Sequence, residues 1–381
     1  MKRKIKIISI VGARPNFMKI SPIVDEIRRL NETGGDPEIH SVIVHTGQHY
    51  DREMSALFFD QLSIPEPDYN LGVGSMSHAR QTAEIMMRIE PVFIQEKPDY
   101  VMVVGDVNST IAAALVAKKM GIRVIHVEAG LRSFDMTMPE EINRMLTDAI
   151  SDILFITERS AEKNLLREGV SPEKIHFVGN VMIDTLLKHR EKAEGSNILR
   201  RLGLVETSGR EGGAMYAVLT LHRPATVDDP RKLRQVLDAV SDLSQRMDIV
   251  FPVHPRTAER IESMGLRLGG RIILTGPLGY LDFIKAVSRA AMVLTDSGGI
   301  QEETTVMGVP CLTLRENTER PVTITEGTNR LVGLSRERIR EEAMKIIEQG
   351  IPAGRIPERW DGMAAVRIIE IIMSDSVSPT P

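Results

Sequence analysis

Short runs of Val and Ile alternate along the chain with longer stretches whose apolar residues recur at helical spacing. In the first half the runs are Ile5–Val11, Ile39–Thr46, Tyr100–Val104, Val124–Val127, Ile153–Thr157 and Ile175–Val178. Uninterrupted apolar runs of this length read as strands covered on both faces, and helical crossovers between them make the strands parallel. The alternation pauses at the polar, Gly-rich stretch Glu206–Gly213 and resumes with Ala217–Leu221, Ile249–Val253, Ile272–Thr275, Met292–Thr295 and Cys311–Leu314. Two parallel α/β sheets are therefore expected in succession. Helix ends are marked by Ser77 before a helix through Met87, by Gly121 after one that begins near Ser109, and by Gly308 after Ile300–Met307. Near Gly179–Asp184 the chain enters a charged helix over Leu186–Leu202, which places a domain junction at about residue 180, with domains 1–180 and 181–360. The apolar spacing of the tail predicts a helix over 361–375 that packs back on the first domain.

A length of 381 residues is well beyond the ~150 of a usual single domain, in agreement with two sheets. Hydrophobic residues at 42% and charged residues at 26% exclude wholesale disorder, collagen-like repeats and disulfide scaffolds. Lys plus Arg number 48 against 52 Asp plus Glu, a formal net charge of −4, and no long basic stripe is present to neutralise a nucleic-acid backbone. The single Cys311 allows no internal disulfide and no thiolate cluster, which suits a reducing cytoplasm. No run approaches the ~18 apolar residues that span a bilayer. The basic start Met1-Lys2-Arg3-Lys4 is followed by no full apolar signal region.

Open parallel sheets bind ligands beyond the carboxyl ends of their strands, so chemistry is sought there, in a cleft between the two sheets. The first strand runs into Gly12-Ala13-Arg14-Pro15-Asn16-Phe17-Met18-Lys19. This is either a phosphate site, with Arg14 and Lys19 at a helix start, or a glycine turn with two solvated charges. Met292–Thr295 ends in Asp296-Ser297-Gly298-Gly299 and opens a helix, where glycines let a diphosphate reach backbone N–H groups. Glu302 or Glu303, a turn further on, is either a ribose acceptor or an ordinary acidic first turn. Asp106, Glu128 and Glu140 lie at or after strand ends. Acids gathered at one sheet mouth repel, which makes one an acid beside a base; taken singly, Asp106 reads equally as a cap for the Asn108/Ser109 turn. His222-Arg223 and His254-Pro255-Arg256 follow strands of the second sheet, and His222 is favoured for function. His45 and His49 lack the His-Glu-x-x-His context, and His126-x-Glu128 lacks the paired cysteines of a zinc deaminase, so no catalytic metal is expected.

These residues together resemble the non-hydrolysing UDP-N-acetylglucosamine 2-epimerases over nearly the whole chain. The matching motifs are Gly12-x-Arg14-Pro15-x-x-x-Lys19, Thr46-x-Gln48-His49, Gly105-Asp106, His126-Val127-Glu128-Ala129-Gly130-Leu131-Arg132, Pro139-Glu140-Glu141-x-Asn143-Arg144, His222-Arg223, Pro252-Val253-His254-Pro255-Arg256, Asp296-Ser297-Gly298-Gly299-x-Gln301-Glu302-Glu303 and Glu319-Arg320-Pro321. The resemblance implies the glycosyltransferase B-type fold, two Rossmann-like domains closing over UDP. It implies that Arg14, Lys19, His222, Ser297, Gly298, Gly299, Glu303 and Arg320 hold the diphosphate and ribose, with Phe283 near the uracil. It implies Asp106, Glu128 and Glu140 as the acid/base set, with His222 in the catalytic group and Arg144 in support. No cofactor is implied, since the C2 centre inverts without net oxidation and no nicotinamide is needed. A UDP-sugar substrate, a cytoplasmic homodimer and a place in surface polysaccharide synthesis are implied as well. Two motifs depart from the pattern: His222-Arg223-Pro224-Ala225-Thr226 replaces His-Arg-x-Glu-Asn, and Tyr50-Asp51 stands where many bacterial members have an Arg. They keep open a related substrate such as a UDP-diacetamido-uronic acid. A glycosyltransferase of the same fold is the remaining alternative.

Overall fold

The computed structural model describes residues 4–47, 65–204, 215–265, 268–350 and 354–377. The motif residues Gln48, His49, Tyr50 and Asp51, the stretch Glu206–Gly213 and the Arg14 side chain lie outside the described residues. The chain divides into two compact units, one of residues 1–185 and 358–381 and one of residues 186–357.

The first unit is a seven-stranded parallel sheet in the order β3-β2-β1-β4-β5-β6-β7. Its strands are β1 (Lys4–Val11), β2 (Glu38–His45), β3 (Tyr69–Asn70), β4 (Tyr100–Val104), β5 (Arg123–Ala129), β6 (Ile153–Ile156) and β7 (Ile175–Phe177). Every residue of β4 and β6 is buried, as a sheet covered on both faces requires. The helices that bear on the site are α1 (Arg14–Glu32), α2 (His78–Glu96), α3 (Asn108–Lys119), α4 (Pro139–Ile150) and α5 (Arg159–Arg167). Helix α2 runs past Met87, through Pro91, because Ile85, Ile89, Val92 and Phe93 continue its buried stripe. Strand β3 was not expected from the sequence, since two residues leave no pattern to read.

The C-terminal segment returns to this unit. Gly179, at φ +96, leaves room for the Arg359 carbonyl, which would lie 2.0 Å from an added Cβ. Buried Trp360 donates its indole N–H to the Thr157 carbonyl at 2.9 Å. In the terminal helix, Ala364–Val377, the N–H groups of Ala364 and Ala365 bond to Asp184 at 3.2 and 2.7 Å. Near its other end Asp375 accepts from Tyr100 Oη at 2.6 Å and from Arg123 Nη2 at 2.9 Å.

Helix α6 (Val181–Glu194) leads from one unit into the other, and it is here that the single helix expected over Leu186–Leu202 is corrected. The helix stops at Gly195-Ser196-Asn197 and resumes only as α7 (Ile198–Arg201). Ser196 instead donates its hydroxyl to Asp282 at 2.5 Å, a local alternative to the helical bond.

The second unit repeats the plan with six parallel strands in the order β10-β9-β8-β11-β12-β13. They are β8 (Tyr216–Thr220), β9 (Asp248–Pro252), β10 (Ile272–Thr275), β11 (Met292–Thr295), β12 (Cys311–Thr313) and β13 (Asn329–Leu331), the last unmarked by any apolar run. Helices α8 (Pro224–Val227), α9 (Pro230–Leu243), α10 (Pro255–Ser263), α11 (Tyr280–Ser288), α12 (Gly298–Met307), α13 (Val322–Thr325) and α14 (Arg336–Gln349) surround it. Both sheets are doubly wound, Rossmann-like sheets, and the architecture is that of the glycosyltransferase B-type fold. In each, the strand order reverses direction between two central strands, β1 and β4 in one and β8 and β11 in the other. Ligands bind at such switch points.

Candidate active site

At the first switch point Asn16 shapes the turn after β1. Its side-chain oxygen accepts the N–H groups of Gly12 at 3.1 Å and Ala13 at 2.8 Å, and its amide donates to the Val104 carbonyl at the end of β4 at 3.0 Å. Lys19, one turn into α1 and buried, reaches the neighbouring strand end. Its ammonium forms an ion pair with Glu128 and would lie 3.1 Å from a Cβ on Gly105, which explains the glycine there.

Glu128 sits on β5 where the register with β6 slips between Val127 and Ala129, and its backbone takes φ +72. A left-handed conformation in a residue other than glycine is strained, and the bulge turns the buried carboxylate toward Lys19. Asp106 follows Gly105 beyond β4, the strand hydrogen-bonded to β5. It does not cap α3, whose N-cap is Val107. Instead Arg144, on α4, donates Nε–H to its carboxylate at 3.0 Å, and Asn143 donates to its carbonyl at 2.9 Å. The two acids therefore stand on adjacent strands, each with its own cation, rather than as the bare repelling pair expected from the sequence. Glu140, half-buried in the first turn of α4, has no side-chain hydrogen bond or ion pair among the described residues. Its neighbour Glu141 is buried and busy. It accepts from Ser133 N at 2.9 Å, Ser133 Oγ at 3.0 Å and Phe134 N at 2.9 Å, and pairs with Arg144.

The second switch point is organised by Asp296, fully buried after β11. Its Oδ2 accepts the backbone N–H groups of His222 at 3.0 Å and Arg223 at 2.9 Å, and its Oδ1 lies 2.9 Å from His222 Nδ1. Burial works against the Asp296 charge, yet His222 and these N–H groups hold its carboxyl below the ordinary value. The half-exposed His222 ring keeps Nε2 as its remaining polar atom. Ser297 is the N-cap of α12, with its N–H on Thr295 Oγ1 at 3.0 Å.

Arg320 lies across this helix start, bonded to Glu302 at 2.6 Å and Glu319 at 2.5 Å. A Cβ on Gly298 would fall 2.5 Å from Arg320 Nη1, so this glycine makes room for a guanidinium as much as for a ligand. Glu319 is also bonded by Arg315 at 2.7 Å and approached by Arg223 at 3.5 Å. Burial raises its carboxyl, but three arginines overcome that and hold it well below the carboxylate range. Three guanidinium groups around one acid, beside a helix N-terminus, make an anion site. Glu302 is thus committed to Arg320, whereas Glu303 is buried and accepts the Tyr280 hydroxyl at 3.0 Å. Phe283, on α11, packs partly buried against the apolar core formed by Tyr216, Val218 and Val293.

The structure brings Lys19, Asp106, Glu128, Glu140 and Arg144 to one sheet end and His222, Ser297, Gly298, Glu303 and Arg320 to the other. Reading by residue type passed over Asn16, Glu141, Asp296, Arg315 and Glu319, although all but Arg315 stand inside the motifs quoted above.

The family model for UDP-N-acetylglucosamine 2-epimerase matches residues 31–373. A UDP-N-acetylglucosamine 2-epimerase of Escherichia coli is 34% identical, covering 98% of this chain and all of that one. A Pseudomonas aeruginosa UDP-2,3-diacetamido-2,3-dideoxy-D-glucuronate 2-epimerase is 43% identical over 344 residues, 89% of this chain and 91% of its own. The crystal structure of Methanocaldococcus jannaschii UDP-GlcNAc 2-epimerase in complex with UDP-GlcNAc and UDP superposes with a TM-score of 0.87 at 40% identity, covering 97% of this chain and all of that one.

Proposed function

Since the chain belongs to the UDP-N-acetylglucosamine 2-epimerase family, we propose that it interconverts UDP-N-acetylglucosamine and UDP-N-acetylmannosamine by inverting C2 of the bound sugar. The C2–H bond of a 2-acetamido sugar is too weakly acidic to ionise alone near neutral pH. Its proton passes to a carboxylate as the C1–O bond breaks, the C2–H electrons form a C1=C2 double bond, and UDP departs with the C1–O pair. The intermediate is 2-acetamidoglucal. A proton then returns to C2 on the opposite face, and UDP adds back at C1. Two faces call for two proton-handling groups.

The observation that carries this reading is the pair of acids on adjacent strand ends, Asp106 on Arg144 and Glu128 on Lys19. Glu140 completes the acid/base set. In the second unit the start of α12, with Ser297, Gly298, Gly299, Arg320 and His222, holds the leaving diphosphate and stabilises its charge. Lys19, buried against Glu128, extends the cationic set with Arg14. Glu303 takes ribose hydroxyls, and Phe283 lies by the uracil. A homodimer belongs to the same reading, supported by exposed Ile142 and Leu146, one turn apart on α4, with Phe134 and Met136 before it. So does a cytoplasmic place in surface polysaccharide synthesis, in keeping with a buried free thiol at Cys311. Among the described residues no helix is long and apolar enough to cross a membrane.

The test is incubation with UDP-N-acetylglucosamine alone in deuterated water, followed by NMR of the sugar. Deuterium at C2 in a manno product still attached to UDP is expected; unlabelled substrate excludes the reaction for this sugar. The 43% identity to a diacetamido-uronate epimerase favours a second reading of the same chemistry. Label entering only that sugar would select it. A glycosyltransferase would need an acceptor and leave C2–H intact.

A further inference from the structure

One buried histidine is not used by the scheme above, although it joins both acid-bearing strand ends to α4. His126, on β5, is fully buried. Its Nδ1 lies 2.6 Å from Asp148 Oδ1, and its Nε2 lies 2.9 Å from the Gly105 carbonyl oxygen. A carbonyl oxygen can only accept, so Nε2 donates.

Asp148 is also an acceptor. Its other oxygen takes the Gly130 N–H at 3.0 Å and Arg132 Nη1 at 2.7 Å. Burial disfavours its charge, but His126 and Arg132 together hold the carboxyl below its ordinary value. An ionised carboxylate has no proton to give, so Nδ1 donates as well. A neutral imidazole has one N–H, and two donated bonds require the imidazolium. The charge is matched within the cluster: His126 faces Asp148, and Arg132 also bonds to Glu168 at 2.8 Å.

We propose that His126 is a positioning residue: a permanently charged imidazolium that clamps the Gly105–Asp106 turn to Asp148 and so fixes the Asp106 carboxylate for proton transfer at C2. The inference rests on the epimerase reading. Gly105 takes φ +67, and its carbonyl is the anchor on one side of the peptide that leads into Asp106, with Asn143 and Arg144 holding the other. A reacting group misplaced by about 1 Å can lose on the order of 10²-fold in rate.

The first measurement is made on the full wild-type chain labelled with ¹⁵N at its 9 histidines. NMR of the ring nitrogens near neutral pH is expected to show two protonated nitrogens for one buried ring, assigned by their loss in His126→Gln. A His126 ring with one bare nitrogen overturns the proposal. The second is kinetic. Asp148→Asn presents an amide donor to Nδ1, which removes the second ring proton while sparing the bond to Gly105. Both Asp148→Asn and His126→Gln are expected to lower kcat at least tenfold, with KM and UDP affinity within twofold of wild type. Wild-type kcat in either folded variant overturns the clamp, and the ring spectrum decides if neither folds. Failure of the wild type to exchange deuterium at C2 defeats the epimerase reading instead, and leaves the ring spectrum as it is.

Discussion

Gly298 shows how a single missing side chain supports a site. Its backbone is ordinary helix, in which alanine is favoured over glycine by about 1 kcal/mol. The obstacle to alanine is the Arg320 guanidinium, with Cζ 2.9 Å from the added Cβ, and Glu319 Oε1 at the same 2.9 Å. Arg320 cannot swing clear without leaving Glu302 or Glu319, both buried. Gly298→Ala should therefore weaken UDP binding by about tenfold, or about 1.4 kcal/mol, with a shift in Tm of only a few degrees. Isothermal titration with UDP checks this, and wild-type affinity would mean that the placement of Arg320 does not matter to the nucleotide. Glu128 is the complementary case. There a residue other than glycine is held at φ +72, a conformation that costs on the order of 1–2 kcal/mol, and it persists because the carboxylate meets Lys19.

At the level of elements, legibility follows burial. The strands β4, β10 and β11 begin and end at the residues where their apolar runs do, because a strand covered on both faces has no polar position to blur its edges. Helix ends were harder to read, since they depend on single side-chain bonds such as that of Ser196 to Asp282. The terminal helix illustrates the point. Its start is held by Asp184, 180 residues earlier in sequence, a contact that no local pattern announces. Burial pushes the Asp184 carboxyl up to about 6, against the help of the two N–H groups it accepts. A raised value means that its contribution to stability is complete below the unfolded value of about 3.9 and is lost as pH rises through 6. Asp184→Asn keeps an acceptor and removes the charge. The stability of the variant relative to wild type should therefore rise by about 2 kcal/mol between pH 4 and pH 8. The comparison has to be made as a difference, because His45 acts in the opposite sense. Burial lowers His45 to about 4, so its contribution is present above the unfolded value of about 6.5 and lost as pH falls. Urea titrations of both proteins across this range check it, and a flat difference would show that Asp184 carries no buried charge.

On the scale of the whole molecule, the residues that sequence motifs exposed are those that end at a ligand. Asp106, Glu128, His222 and Arg320 stand at strand ends or helix starts, where a doubly wound sheet puts its chemistry. The residues behind them were not legible, because each acts through a partner far along the chain. Asp296 meets the His222 N–H across 74 residues and Glu319 meets Arg223 across 96, and such pairings exist only once the strand order is known. The same folding rule, applied twice, separates the labour. Proton-handling carboxylates belong to one unit and the arginine-rich anion site to the other, so their losses should separate kinetically. Asp106→Asn removes a proton acceptor but no nucleotide contact. It should reduce kcat at least a thousandfold and leave UDP affinity within severalfold. Arg320→Ala deletes a cation beside α12 and strands Glu302 and Glu319 together, so it should weaken UDP at least tenfold and raise KM. Binding titrations beside steady-state kinetics distinguish the two patterns. Wild-type turnover in Asp106→Asn would remove that residue from the acid set. An equal loss of UDP affinity in both variants would mean that the two sheet ends do not act as separate halves of the reaction.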